Sequence, residues 1–163
     1  MDAAKVGQVA RRHKELAANR GPGILLETET ARQQEVGALN ELFKGVQREC
    51  DLYCMSYNEA FGTTRVRVEA HSDTVVIRSP MNAEDTLVFY RVSPTQTHAG
   101  RIEARRYHYG EQPVHLPVDV RRTEDATLTV TLRGRDVQPA ELVFDLLSTF
   151  TEHLARTADG LGR

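Results

Sequence analysis

The chain has 163 residues and a formal net charge of −2, enough length to bury one core and too balanced a charge to draw it to DNA or an acidic membrane by bulk electrostatics. Its two cysteines are too few for a disulfide framework, and no apolar run approaches the roughly 20 residues a bilayer span needs. With no apolar middle region of a signal peptide in MDAAKVGQVARRHKELAANR, the expectation is a soluble cytoplasmic protein with no membrane partner.

Residues 2–19 have Asp2 as an N-cap and Val6, Val9, His13 and Leu16 at helical spacing, and Gly21-Pro22-Gly23 is a strong breaker. A first segment, 1–23, is therefore expected to be a short helix that docks weakly, packs on a partner or frays. The main domain is expected over 24–158, followed by a tail at 159–163.

The dominant stretch is Val36 to Ala60. Val36, Leu39, Phe43, Val46, Cys50, Tyr53, Tyr57 and Ala60 fall at steps of three and four, the pattern of one helix face. Thr30-Ala31-Arg32-Gln33 has the form of a capping box, and Gly62-Thr63-Thr64 ends the helix. A helix of about thirty residues would reach about 45 Å, beyond the sheet expected after it. Leu42, Cys54 and Met55 widen the stripe beyond a narrow seam.

After Gly62 the apolar period becomes two. Arg65-Val66-Arg67-Val68-Glu69-Ala70-His71 alternates, and a turn at Ser72-Asp73 would set Ala70 opposite Val75 and Val68 opposite Ile77. Further strands are expected at 86–92, 101–109, 114–120 and 126–133, in an antiparallel meander of about six. Pro117 removes a ladder donor, so the fifth strand is at an edge or bulged there. Asp136 is expected to cap a last helix, with Pro139 in its first turn and Leu142, Val143, Leu146, Leu147, Phe150 and Leu154 as its apolar stripe.

This is an α+β chain: a long helix in the N-terminal half, an antiparallel meander, and a C-terminal helix on the same sheet face. In element order alone it resembles helix-grip domains. That resemblance implies a curved sheet around a cavity, with Phe89, Tyr107, Tyr109 and Phe150 as lining.

Candidate chemistry is sparse. Cys50 and Cys54, four apart, share a helix side; they could supply half a zinc site, but nothing nearby completes one and buried thiols are the preferred reading. His108 and His115 flank the Gly110–Pro113 loop. A four-residue loop would make them cross-strand neighbours, and one residue fewer would put them on opposite faces. With no carboxylate at ligand spacing, they read as surface polar residues. The sheet region interleaves tyrosines with Arg65, Arg67, Arg101 and Arg105, yet Glu69, Glu103, Asp119 and other acids balance them. That balance argues against nucleic acid. No catalytic or cofactor motif is present, and no cofactor is expected.

The functional expectation is a non-enzymatic interaction or adaptor domain, self-associating or bound to a protein partner through Val36, Leu39, Phe43, Val46, Tyr53 and Tyr57. The alternative is a small-molecule or lipid-binding domain with the cavity just described. An enzyme ranks third and would draw on His108, His115, Cys54 or the sheet acids.

Overall fold

The structure is a computed structural model describing residues 3–82, 84–125 and 127–161, without the side chains of 14–28 and 158–161. Helix α1 runs Ala3–Phe61 and helix α2 runs Pro139–Leu161. Between them lie eight strands: β1 Arg67–Ala70, β2 Thr74–Arg78, β3 Asp85–Val92, β4 Arg101–His108, β5 Val114–His115, β6 Val118–Arg122, β7 Leu128–Leu132 and β8 Arg135–Val137. The chain divides into two compact units, Met1–Gln34 and Glu35–Arg163. In the first, α1 exposes Val6 and Val9.

Four local expectations at the helix ends are corrected. The backbone is helical through Gly21-Pro22-Gly23 and through the Thr30–Gln33 capping sequence. The residues on either side are rich in Ala, Leu, Glu, Gln and Arg, strong helix formers whose summed preference outweighs a local breaker. Asp136 is not a cap: it lies in β8 and pairs with Arg121, whose Nε donates to Asp136 Oδ1 at 2.9 Å. A two-residue turn at Arg133-Gly134, both at positive φ (52° and 76°), closes a β7–β8 hairpin. The helix therefore starts later, with Pro139 as its first residue and the Gln138 carbonyl accepting the Leu142 N–H at 3.0 Å. The sequence assigned to a tail beyond 159 is helical as far as Leu161.

The expected hairpin is present in the expected register, Ala70 with Val75 and Val68 with Ile77. The meander is antiparallel throughout and forms two sheets, β1-β2-β3-β4-β5 and β6-β7-β8. Pro117 marks the division. The segment read as one fifth strand becomes β5 at the edge of the first sheet and β6 at the edge of the second. Around Pro117, the Leu116 N–H donates to Ala104 O at 2.9 Å, and the Pro117 carbonyl accepts from Arg133 N–H at 2.8 Å. A proline cannot donate to a continuous ladder, and the chain changes sheet where that donor is missing.

One core unites the second unit. Leu39, Phe43, Val46, Cys50 and Cys54 of α1 meet Val75 and Ile77 of β2, Leu87 and Phe89 of β3, and Ile102 and Ala104 of β4. Val130, Leu132 and Val137 of the smaller sheet join them, with Leu142, Val143, Leu146, Leu147 and Phe150 of α2. Gly100 packs closely on the core: a Cβ there would lie 2.8 Å from Leu39 Cδ2, so a larger residue would have to displace that buried side chain. The far face of the larger sheet is polar, with Arg78 donating to Glu69 at 2.8 Å. Among the described residues, no helix is long and apolar enough to cross a membrane.

Candidate functional site

The α1 seam is divided between two environments. Leu39, Phe43 and Val46 are buried against the protein's own sheets, as are Cys50 and Cys54. Those three leucine, phenylalanine and valine side chains have no surface left to offer a second molecule. Val36 is half-buried. Past Cys50 the buried line continues through Cys54, and Tyr53 and Tyr57 lie at its margin. Burial pushes both thiols up, Cys54 to about 12, so they act as small apolar side chains.

At that margin the surface is apolar and aromatic. Tyr53 stacks on Tyr57 with ring centroids 6.0 Å apart, Tyr57 meets Phe61 at 4.9 Å, and Phe144 of α2 meets Tyr53 edge-on at 6.4 Å. The i, i+4 spacing of Tyr53, Tyr57 and Phe61 places them in a row along α1. Tyr53 is anchored by a 2.9 Å hydrogen bond to Thr151 Oγ1, whose own hydroxyl donates to Leu147 O. A groove of about 440 Å³ runs between the helices, lined by Leu52, Tyr53, Tyr57, Val143 and Phe144 among others. Phe144 is 66% exposed, Met55 52%, Phe61 49% and Leu52 46%.

The residues expected to line a ligand cavity do not share one space. Phe89 and Phe150 are buried in the core. Tyr107 is three places from Ala104, the partner of Phe89, so it lies on the opposite sheet face. There its hydroxyl meets that of Tyr90 at 2.6 Å, and desolvation together with that bond pushes the Tyr90 phenol up to about 12. Tyr109 is 81% exposed.

The histidines are placed in a way the sequence did not show. His115 pairs with Arg105, three places from His108, so the two histidines occupy opposite faces. The last paired residues, Arg106 and Val114, enclose seven residues, 107–113, and that register sets the two faces. His108 instead faces Asp85, its direct partner across the β3–β4 ladder, with Nδ1 2.5 Å from Oδ1. From α2, His153 brings Nε2 to 3.4 Å from Asp85 Oδ2. The two imidazoles stand nearly perpendicular, 85° apart, with centroids separated by 6.4 Å. Asp85 is fully buried while each imidazole is about one-third exposed. Asn82 Nδ2 donates to Asp85 Oδ2 at 3.1 Å. The neighbouring carboxylate raises His108 above the ordinary histidine value.

Asp85 and His153 were not singled out from the sequence. A signal for His153 existed: it follows Phe150 by three residues on the apolar stripe of α2, where a polar residue needs a partner. Asp85 opens a β-branched strand on its inward face, but which face is inward depends on register. No protein-family model, curated protein or solved structure matches the chain.

Proposed function

We propose that the protein is a non-enzymatic interaction domain that self-associates through the open side of α1 and α2. The observation that carries this reading is the groove lined by Leu52, Tyr53, Tyr57 and Phe144, with Phe61 continuing the aromatic row past Tyr57; Leu52, Phe61 and Phe144 are exposed and the two tyrosines partly buried. Scattered exposed apolar residues need no explanation, whereas a contiguous aromatic patch has the composition of an interface core.

A second copy of the chain is the occupant that the charges favour. Glu49 lines the groove and Arg65 lies over the Phe61 ring at 4.7 Å, so the rim carries both signs. A twofold pair presents the same patch on both sides and can satisfy each sign with the other. Nucleic acid would want an unopposed basic surface instead.

Sedimentation velocity over a wide concentration range tests the reading. The expected result is a monomer–dimer equilibrium that Phe144→Glu shifts to monomer without altering the circular dichroism. A wild-type chain that sediments as a monomer at every concentration would overturn self-association.

A further inference from the structure

We propose that Asp85, His108 and His153 form a binding site for one divalent first-row transition ion of the zinc class. Three elements distant in sequence, β3, β4 and α2, each deliver one ligand-type side chain. The ligand atoms all lie within 4.8 Å of one another. Two imidazole nitrogens and one carboxylate are the donor set that zinc and its neighbours prefer over calcium or magnesium, which favour oxygen.

Two further observations point to a bound group. The Nε2 atom of His153 is buried and has no hydrogen-bond partner, although it lies beside the Asp85 carboxylate. A buried nitrogen with no hydrogen-bond partner is costly, and a cation shared with that carboxylate would satisfy it. Asn82 holds Asp85 Oδ2 from the side at 3.1 Å, the outer support that metal-binding carboxylates commonly have.

The distances suit the assignment. Ligands about 2.0–2.2 Å from a tetrahedral ion lie roughly 3.3 Å from one another. The His153 Nε2–Asp85 Oδ2 separation of 3.4 Å already meets that value, whereas His108 Nδ1 lies against the other carboxylate oxygen, Oδ1. The 2.5 Å His108–Asp85 contact is a hydrogen bond, and its two atoms would have to separate by less than about 1 Å to admit the ion. Each imidazole is about one-third exposed, so an ion can enter from solvent. Three protein ligands leave the remaining coordination position to water.

The test is zinc titration of chelator-treated full-length protein by calorimetry, with cobalt absorption as a second probe. One ion should bind per chain, and cobalt should develop the visible bands of a nitrogen- and oxygen-ligated site. His153→Gln should weaken binding at least tenfold and Asn82→Ala by about tenfold, while His115→Gln, outside the cluster, should leave it unchanged. Imidazole proton resonances of the wild-type chain give a readout that needs no variant: zinc should shift those of His108 and His153 and leave the His115 signals in place. Absence of stoichiometric binding, or binding whose resonance shifts fall on other histidines, would overturn the proposal.

Discussion

At the residue scale, burial decides what the reactive side chains can do. Cys50 and Cys54 are held as neutral thiols by desolvation. Because the folded values lie above that of an exposed cysteine, about 8.5, the stability gained from neutral thiols is full below that pH and declines as pH rises toward the folded values. Neither thiol should react with a disulfide reagent near pH 8 in the native protein, and both should react once guanidinium unfolds it. Fast native labelling would contradict the burial. Glu103 behaves in the opposite sense. Arg101, at 2.6 Å, and Arg105, at 3.0 Å, hold its carboxyl below the usual carboxylate range. The stability it contributes is present above the ordinary glutamate value and is lost as pH falls through the lowered one. Comparing urea midpoints at neutral pH and near pH 3, Glu103→Gln should lose less stability than wild type on acidification. The gap should be about 0.5 kcal/mol, the scale of an exposed bridge.

At the element scale, each junction is secured by a few placed groups. Where α1 ends, Gly62 takes positive φ and donates to Glu59 O at 3.1 Å, turning the chain away from the helix. Asn58 then clamps the connection. Its Oδ1 accepts from the Arg65 and Val66 N–H groups at 2.7 and 3.0 Å, and its Nδ2 donates to Val66 O at 2.9 Å. Losing three bonds, two of them partly buried, Asn58→Ala should cost about 2 kcal/mol in chemical denaturation; a change near zero would show that water replaces the amide. Along the helix itself the buried line is the sensitive one. Phe43 is 2% exposed, and Phe43→Ala should cost about 3–5 kcal/mol through lost transfer energy and the cavity left behind. Met55→Ala, on the open side, should change the stability of the isolated chain by well under that amount.

At the scale of the whole molecule, the second unit closes one core and leaves one apolar margin uncovered. If two chains cover that margin for each other, the thermal midpoint must rise with protein concentration, because association draws the equilibrium toward the folded form. Differential scanning calorimetry at several concentrations should show that rise in wild type and its loss in Phe144→Glu. A midpoint independent of concentration in both proteins would separate the patch from assembly.

Local pattern alone determined the order of a long helix, antiparallel strands and a closing helix, the β1–β2 register, the apolar stripe of α2 and the burial of both cysteines. Each depends on spacing along a few turns or a single hairpin, where geometry is periodic and near neighbours dominate. The division of the strands into two sheets was half visible in Pro117, which announces a missing donor without saying where the chain goes next. Tertiary structure decided the rest. Whether Phe43 or Phe61 meets solvent depends on where the sheets stop covering α1, and whether His108 and His115 share a face depends on a register in which Arg106 pairs with Val114, with seven residues between them rather than the four considered. The meeting of Asp85, His108 and His153 had no signature in the chain, because it joins two strands and a helix separated by 23 and more residues. Spacing constrains neighbours on one element, whereas only packing brings three elements to a single carboxylate.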